Sequence, residues 1–234
     1  MSAPQDQWPR LRRLAEQAAR DLEGGHPLEV LRWASDTFGE DLCVSSSMTD
    51  AVLADLAGRA RPGVPVYFLD TGYHFAETIG TRDAVQATMP VNLINLTPVQ
   101  SVAEQDAAYG KDLFERDPDL CCALRKVQPL ADGLGQYDAW ATGLRRAETH
   151  NRVIAPVVGW DEKKQKVKVS PLARWTDEDV EKYIAENGIL VNPLQYDGYP
   201  SIGCWPCTRR VAPGEDARAG RWSGTNKTEC GIHQ

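Results

Sequence analysis

Short apolar runs that alternate with longer helical segments constrain the fold of this chain more than any other feature of its sequence. Four runs rich in branched aliphatic and aromatic residues predict strands over residues 41–46, 64–69, 91–96 and 139–144. Segments over 49–60, 75–88 and 101–113 predict helices between successive strands. A strand, a crossover helix and a second strand pair in parallel. The pattern therefore predicts an α/β fold with a doubly wound, mainly parallel sheet.

The rest of the chain extends this predicted single domain, which spans residues 1–234. Helices over 8–22 and 27–39 form an N-terminal segment, residues 1–39. A further helix over 176–187 begins after the capping residue Thr176 and ends before Gly188. From 191 to 234 the periodicity disappears, so this C-terminal segment needs something other than a hydrophobic core to order it.

Composition narrows the class of protein. The chain is 42% hydrophobic and 25% charged, which is ordinary for a soluble globular protein. Residues 1–13 lack the apolar core of a signal peptide, and no apolar run approaches the roughly 20 residues of a spanning helix. We therefore expect a cytoplasmic protein without a membrane partner. The net charge of −7 argues against nucleic acid as the main partner, and the sequence leaves homo-oligomerisation open.

Six cysteines in a chain expected to be cytosolic argue for metal binding or catalysis rather than disulfides. Cys121 and Cys122 are adjacent, and Cys204 and Cys207 form a C-x-x-C pair. Four thiolates match either a 4Fe–4S cluster or an all-thiolate zinc site. Neighbouring side chains diverge on a helix or a strand, which is awkward for one tetrahedral zinc ion. The four cysteines therefore favour a cluster, with zinc and unligated thiols as the alternatives.

The two remaining cysteines have opposite surroundings. Cys43 lies in a predicted buried strand, where a free cysteine is usually structural. Cys230 lies in a polar stretch near the C-terminus, and we expect an exposed and mobile thiol there. Nearby cations, among them Lys227 and His233, are placed to lower its pKa and make it a nucleophile. From the residues alone, a tail thiol without function is the alternative.

Polar loops follow the first two predicted strands, and in such sheets ligands bind at the carboxyl ends of strands. The loop with Ser45, Ser47 and Asp50 offers hydroxyls and a helix N-terminus to a phosphate group. Basic residues are concentrated elsewhere: residues 121–152 and 204–234 each contain five basic and three acidic residues, although the whole chain is acidic. This distribution favours a small, multiply anionic ligand over a polyanion.

Five short motifs stand out along the chain. They are Leu-Asp-Thr-Gly at 69–72, Cys-Cys-x-x-Arg-Lys at 121–126, Ala-Thr-Gly-Leu-Arg-Arg at 141–146, Ser-Ile-Gly-Cys-x-x-Cys-Thr at 201–208 and Glu-Cys-Gly-Ile-His at 229–233. Together they resemble the assimilatory adenosine 5′-phosphosulfate reductases, relatives of the phosphoadenylyl-sulfate reductases. The resemblance spans residues 40–234 and implies the PP-loop fold, also called adenine nucleotide alpha hydrolase-like, with a C-terminal segment ordered by an iron–sulfur cluster.

The resemblance also implies a reaction and a set of residues. Cys230 would attack the sulfur of adenosine 5′-phosphosulfate, release AMP and carry the sulfo group until a dithiol donor such as thioredoxin releases sulfite. A 4Fe–4S cluster that passes no electrons in this cycle would be bound by Cys121, Cys122, Cys204 and Cys207. The residues implied to bind the substrate are Ser45, Ser47, Asp50, Leu69, Lys126, Gly143, Arg152, Arg218, Arg221 and His233.

One segment departs from the family pattern, and other activities compete with the main hypothesis. The family has small residues where this chain has Met48 and Thr49, so we expect the freedom of glycine at positive φ to be lost there. Reduction of the 3′-phosphorylated nucleotide is the nearest alternative, although reductases for it generally lack the four cysteines. A PP-loop iron–sulfur enzyme of tRNA sulfur transfer, or a non-catalytic iron–sulfur or zinc regulator, is a more distant one.

Overall fold

The computed structural model describes residues 5–225, 227 and 229–232, and within them six strands form one sheet. The strands are β1 (Leu42–Ser45), β2 (Val64–Leu69), β3 (Val91–Leu96), β4 (Ala139–Thr142), β5 (Val158–Asp161) and β6 (Lys166–Val169). Their order across the sheet is β3-β2-β1-β4-β6-β5. Neighbours pair in parallel except β5 and β6, which form an antiparallel hairpin at one edge. The predicted mainly parallel sheet is confirmed.

Most of the predicted helices are present with small changes at their ends. The α-helices of the described residues are α1 (Trp8–Asp21), α2 (Pro27–Phe38), α3 (Val52–Ala60), α4 (Ala76–Thr88), α5 (Val102–Tyr109), α6 (Leu113–Arg116), α7 (Pro118–Cys122), α8 (Gln128–Leu134) and α9 (Asp177–Asn187). The helix predicted to reach residue 113 ends at Tyr109 because Gly110 has a φ of +81°. None of the helices in the described part of the chain is both long and apolar enough to cross a membrane.

Alternation along the strands divides the core into two layers. Leu42 and Val44 point to the face that the N-terminal helices cover, and they pack in the larger apolar cluster. Cys43 points to the opposite face, where it packs with Tyr67 and Trp140 beneath α8. Cys43 is fully buried, and burial raises the pKa of its thiol. The burial predicted for Cys43 is therefore confirmed.

The sequence did not indicate the hairpin formed by β5 and β6. Its second strand alternates lysine with valine, which is the pattern of a half-buried strand, but the run is only four residues long and no strand was predicted there. In the structure Lys166 is buried and donates a hydrogen bond to the carbonyl of Tyr137. The ammonium group of Lys168 lies 5.3 Å from the ring centroid of Trp140. Tertiary partners therefore allow both lysines to lie within the fold.

The strand order creates a crevice at the carboxyl edge of the sheet. The chain proceeds from β1 to β2 and β3 on one side, and then returns to β4 on the other side of β1. The loops that follow β1 and β4 therefore diverge, and ligands of doubly wound sheets bind at such a switch point. The crevice brings together the serine-rich loop after β1 and the segment that begins at Gly143.

The loop after β1 has a conformation that few side chains adopt. Met48 has a φ of +59°, and its side chain is fully buried. The side chain of Asn192 donates a hydrogen bond to the Met48 carbonyl at 3.2 Å, and its backbone N–H donates to the Thr49 carbonyl at 3.0 Å. The left-handed backbone that we expected to be lost without glycine is therefore present, because burial and these hydrogen bonds offset its strain.

The described part of residues 191–232 is irregular, as predicted. It contains two short 3-10 turns, Pro193–Gln195 and Trp205–Cys207. Isolated bridges connect Asp50 with Val191 and Thr208 with Arg221. The C-terminal segment therefore depends on contacts with the sheet edge and with the cysteine-bearing helices rather than on regular structure of its own.

We expect Met48→Gly to be at least as stable as Met48→Ala. Both remove the buried side chain, at a cost of about 2–5 kcal/mol in unfolding free energy. Glycine, however, avoids the penalty of roughly 1–2 kcal/mol that an L-residue has in the left-handed conformation. Met89 is the matched control, because its φ is −105°. There alanine should be the more stable by about 0.5–1 kcal/mol. Urea denaturation of the four variants measures both differences, and a clearly less stable Met48→Gly would contradict the argument.

Candidate active site

The adjacent cysteines lie on a helical run in which one wide π-helical turn, Ala123–Val127, joins α7 to α8. Cys121 and Cys122 end α7, and Arg125 and Lys126 lie in the wide turn. Because residues four apart lie on the same side of a helix, each cysteine shares its side of the run with one cation. Wide turns of this kind are frequent at functional sites.

Cys121 and Cys122 point in different directions. Cys121 packs in an apolar cluster with Cys204 and Cys207. Cys122 instead makes a hydrogen bond with the thiol of Cys230. The divergence expected of neighbouring side chains is confirmed, and the four predicted ligands nevertheless line one cavity.

The donor set of this cavity fits an iron–sulfur cluster. Besides the four cysteines, its walls are formed by Tyr73, Phe114, Pro118, Arg125, Lys126, Pro206 and Trp222. The sulfur of Cys204 lies 3.3 Å from the hydroxyl of Thr71. Among the described residues, no three cysteine, histidine or carboxylate side chains converge on one metal ion. A four-iron cluster would take one of the four sulfurs at each iron, whereas a zinc ion would bind all four at one centre.

Cys230 is buried, so the expectation of an exposed thiol is wrong. Its exposed fraction is 7%. A Cβ added at the next residue, Gly231, would lie 3.1 Å from the side chain of Val127 in the wide helical turn. Ile232, like Leu69, packs against the apolar cluster that contains Cys43, Tyr67 and Trp140. The described end of the tail therefore lies against the cysteine-bearing helical run and the sheet edge.

Positive charge surrounds the Cys230 thiol. The hydrogen bond from Cys122 contributes most to lowering the pKa of Cys230 well below its ordinary value, burial opposes it, and Lys126 and Arg221 lower it further. A Cys122 that binds iron has no thiol proton to donate. Lys126, the backbone N–H of Ile232 and Arg221 then still lower the pKa of Cys230. A thiolate is the nucleophilic form of cysteine.

Two of the predicted substrate-binding cations, Lys126 and Arg221, have no carboxylate partner among the described residues. Arg221 donates hydrogen bonds to the Ser201 hydroxyl at 3.2 Å and to the Ile202 carbonyl at 3.3 Å. Its Nε is buried and has no hydrogen-bond partner in the described part of the structure. Because an unpaired buried donor is costly, this side of Arg221 is suited to an anionic ligand.

The other two predicted cations, Arg152 and Arg218, contact a carboxylate of the tail. Glu229 accepts hydrogen bonds from Nε and Nη2 of Arg152 at 3.0 and 2.6 Å, and from Nη2 of Arg218 at 3.4 Å. Glu148 pairs with the remaining nitrogen of Arg152. Burial opposes ionisation of Glu229, but Arg152 outweighs it and holds the pKa of Glu229 below its ordinary value. Both arginines therefore lie next to Cys230.

The residues predicted to contact the nucleotide lie around the crevice. Ser45 ends β1, Leu69 ends β2, and Gly143 follows β4. Ser47 lies in the loop after β1, where its hydroxyl is 3.2 Å from that of the neighbouring threonine. The carboxylate of Asp50 accepts a hydrogen bond from the first N–H of α3 at 3.0 Å. Asp50 therefore fixes the start of the helix that forms one wall of the crevice.

One predicted position and two arginines that were not predicted need separate mention. His233 lies outside the described residues. Arg145 pairs with Asp177 at 2.7 Å, and Arg146 pairs with Glu23 at 2.7 Å. The two adjacent arginines therefore hold neighbouring elements together, which agrees with leaving them out of the predicted site.

Sequence reasoning missed four residues of the site. Thr71 contacts the sulfur of Cys204, and Asn192 holds the loop after β1. The ring of Trp222 lies 4.5 Å from the guanidinium carbon of Arg221. Glu229 belongs to the motif at 229–233, but no role was predicted for its carboxylate. An acidic residue beside the reactive cysteine in a basic tail is the signal that could have identified it.

A family model described as "Phosphoadenosine phosphosulfate reductase domain" matches residues 41–210. The chain belongs to this family. A Streptomyces coelicolor protein named adenosine 5′-phosphosulfate reductase is 67% identical over 223 residues, which are 95% of this chain and 94% of that protein. A Mycolicibacterium smegmatis protein of the same name is 57% identical with the same coverage.

A solved structure of the family confirms the fold. The crystal structure of phosphoadenylyl-sulfate (PAPS) reductase from Candida auris, a phosphate complex, is similar with a TM-score of 0.71 and 30% identity. The match covers 89% of this chain and 99% of that one. The PP-loop type of α/β fold, which the resemblance implied, is therefore the fold of this protein.

Gly203 allows the guanidinium group of Arg221 to lie against the backbone, since a Cβ at this position would overlap that group. We expect Gly203→Ala to displace Arg221 and to weaken binding of adenosine 5′-phosphosulfate by about tenfold, the scale of one charge-assisted hydrogen bond. Gly80→Ala is the control, because Gly80 is exposed in α4 and a Cβ there meets nothing within 4 Å. Calorimetric titration measures both affinities, and unchanged binding by Gly203→Ala would rule out a substrate contact by Arg221.

Proposed function

We propose that this chain reduces adenosine 5′-phosphosulfate to sulfite and AMP, with Cys230 as the nucleophile, in assimilatory sulfate reduction for cysteine biosynthesis. The observation that carries the proposal is the position of Cys230. It lies buried beside Lys126 and Arg221 and in contact with a cysteine of the four-cysteine cavity. A thiol among unpaired cations is suited to attack an anionic sulfur centre.

In the first half-reaction the Cys230 thiolate attacks the sulfur of the sulfate group. A sulfur–sulfur bond forms while the bond from sulfur to the bridging oxygen breaks, and AMP leaves with the electron pair. Negative charge develops on the bridging oxygen, where Lys126 and Arg221 stabilise it. The product is S-sulfocysteine at position 230.

In the second half-reaction a dithiol donor, which we propose to be thioredoxin, releases sulfite. One donor thiolate attacks the sulfur of Cys230, and sulfite leaves with the electrons of the sulfur–sulfur bond. The second donor thiol then resolves the mixed disulfide and restores the Cys230 thiol. The donor is oxidised to a disulfide while the sulfate sulfur gains two electrons. An external donor is supported by Cys43, which is buried under the sheet and cannot act as the resolving thiol.

The substrate would lie across the crevice between the loops after β1 and β4. In this proposal the nucleotide is held by Ser45, Ser47, Asp50, Leu69 and Gly143, and the phosphosulfate is held by Lys126, Arg152, Arg218 and Arg221. His233, which lies outside the described residues, would close the site from the tail. The strand-edge position of the first set and the cationic surroundings of Cys230 support this division.

The four-cysteine cavity would hold a 4Fe–4S cluster through Cys121, Cys122, Cys204 and Cys207. When bound, the cluster supplies a covalent cross-link that orders the C-terminal segment and a charge that shapes the field at the sulfate. The dithiol donor provides both electrons of the reaction, so the protein's own residues need only bind, orient and activate. Lys126, which lies near both Cys204 and Cys230, connects the two sites electrostatically.

The non-phosphorylated nucleotide is the better supported substrate, and the cytoplasm the expected location. The relatives at 67% and 57% identity are named adenosine 5′-phosphosulfate reductases, whereas the structure named for the 3′-phosphorylated substrate is 30% identical. Reductases for the 3′-phosphorylated nucleotide generally lack the four cysteines, and this chain has all four in one cavity, which also favours the non-phosphorylated nucleotide. Reduction of the 3′-phosphorylated nucleotide is the second candidate.

We expect Cys230 to gain a sulfo group of about 80 Da when the protein is incubated with adenosine 5′-phosphosulfate and no reductant. Intact-protein and peptide mass spectrometry locate the adduct, and added thioredoxin should remove it with release of sulfite. The 3′-phosphorylated nucleotide at the same concentration should form the adduct more slowly.

Two variants control this experiment. Cys230→Ser should form no adduct, whereas Cys43→Ala should form it as the unmodified protein does, because Cys43 lies in the core away from the crevice. An adduct on another cysteine, or none in protein that contains its iron, would refute the mechanism. Faster reaction with the 3′-phosphorylated nucleotide would make that compound the substrate.

We expect protein purified without oxygen to be yellow-brown and to contain about four iron and four sulfide atoms per chain. Serine in place of Cys121, Cys122, Cys204 or Cys207 should reduce the iron content and the visible absorbance, and Cys43→Ala should not. Loss of the cluster should also make residues 191–232 more sensitive to limited proteolysis, because the cross-link is absent. A colourless, zinc-containing protein would contradict the assignment.

A further inference from the structure

Glu229 is a buried carboxylate whose two oxygens are both bound. Its Oε2 accepts a hydrogen bond from Nε of Arg152 at 3.0 Å, and its Oε1 accepts one from Nη2 of the same arginine at 2.6 Å. The same Oε1 lies 3.4 Å from Nη2 of Arg218 and 3.2 Å from the backbone nitrogen of Cys230. One carboxylate therefore joins two arginines to the residue that bears the nucleophile.

The contact with Arg152 has the forked geometry that a guanidinium group uses for many oxyanions. Two parallel N–H groups bind carboxylate, sulfate and phosphate oxygens alike. The remaining nitrogen of Arg152 is bound by Glu148, and the backbone N–H of Arg218 is bound by Asp216 at 2.8 Å. The forked side of Arg152 can hold one oxyanion at a time, and in this structure Glu229 is that oxyanion.

We propose that Glu229 is an internal ligand of the subsite formed by Arg152 and Arg218, and that an oxyanion of the substrate replaces it. This inference rests on the proposed function, because adenosine 5′-phosphosulfate carries both a phosphate and a sulfate group. Glu229 directly precedes Cys230, so the loss of its ion pairs frees the thiol to turn towards the sulfur atom. Glu229 is then a positioning residue that keeps the tail docked until the substrate binds.

The charges of the two arginines favour replacement of Glu229 by a substrate oxyanion over departure of Glu229 alone. If Glu229 left without a replacement, Arg218 would lose its carboxylate and buried Arg152 would keep only Glu148, which is unfavourable. A substrate oxyanion at the same donors removes that cost. Binding of the anion and release of the tail are therefore coupled, and each favours the other.

The other contacts of the tail are weaker than the Glu229 ion pairs. Lys227 pairs with Asp119, but the side chain of Asp119 is 82% exposed, so solvent and salt screen this pair. Ile232 is only partly buried on the apolar cluster beside Leu69. The side chain of Lys227 is itself 6% exposed and its ammonium group lies 5.7 Å from the ring centroid of Trp222, but its carboxylate partner is in solvent. Within the described tail residues 227 and 229–232, Glu229 therefore forms the ion pairs in which both partners are largely buried.

The first experiment measures affinity in the Cys230→Ser background, which cannot form the covalent adduct. We expect Glu229→Gln to tighten binding of adenosine 5′-phosphosulfate at least about threefold, because apparent affinity rises when a competing state is removed. Glu215→Gln is the matched control, since Glu215 pairs with Arg209 at 2.8 Å on the surface of the same segment, and its affinity should not change. Equal or weaker binding by Glu229→Gln overturns the proposal.

The second experiment distinguishes exchange from the mere loss of a negative charge, and it uses the unmodified, iron-containing protein. Millimolar sulfate should speed alkylation of Cys230 by iodoacetamide severalfold, whereas chloride at the same ionic strength should not. Peptide mass mapping assigns the alkylated cysteine. In Glu229→Gln the reaction should already be fast, and sulfate should add little. Slower alkylation with sulfate, or equal rates with sulfate and chloride, overturns the proposal even if the variant does not fold.

Failure of this inference and failure of the proposed function give different results. If the sulfo adduct forms on Cys230 but sulfate leaves its alkylation unchanged, the reductase function stands and the exchange at Glu229 is refuted. If sulfate speeds alkylation but no adduct forms, the exchange stands for oxyanions in general and the reductase function is refuted.

Discussion

Parallel pairing of β1 with both β2 and β4 is the constraint on which the rest of the structure depends. Val44 pairs with Val66 on one side and with Ala141 on the other, so chain segments far apart in sequence end at the same edge of the sheet. The loops after β1 and β4 must diverge from that edge, and the crevice between them is a consequence of topology. The loop after β1 then receives its unusual backbone from Asn192, in the segment that leads to the C-terminal cysteines.

A second constraint is the concentration of charge at one buried thiol. Cys230 lies near Lys126 and Arg221, which have no carboxylate partner in the described structure, while Arg152 and Arg218 contact Glu229. In the proposal for Glu229, an anionic ligand replaces the ion pairs that hold the tail, whereas it could not replace the apolar contact of Ile232. Under that proposal, one peptide is ordered next to the site and still responds to a phosphosulfate group.

Periodicity predicted much of the fold but could not predict every element. β2 and β3 have the predicted bounds. β2 is a continuous apolar run, which marks a buried parallel strand, whereas β3 is an edge strand in which Asn92 and Asn95 interrupt the apolar residues. The capping residue Thr176 located the start of α9. The hairpin of β5 and β6 was not predicted, because the alternation of lysine with valine in β6 is short and Lys166 and Lys168 find their partners elsewhere in the chain. The backbone of Met48 likewise depends on a residue far along the chain, so the local sequence pointed to the opposite result.

Residue identity and spacing by themselves determined the α/β class, the grouping of the four cysteines and the burial of Cys43, and they made Cys230 a candidate nucleophile with a functionless tail thiol as the alternative. These properties depend on local periodicity and on side-chain chemistry, both of which can be read from the chain. Only the tertiary structure decided that Cys230 is buried, that Cys122 faces it, and that Glu229 pairs with an arginine 77 residues away. A polar segment can be buried only where the fold brings it partners from distant positions in the chain. For Glu229 these partners are Arg152 and Arg218.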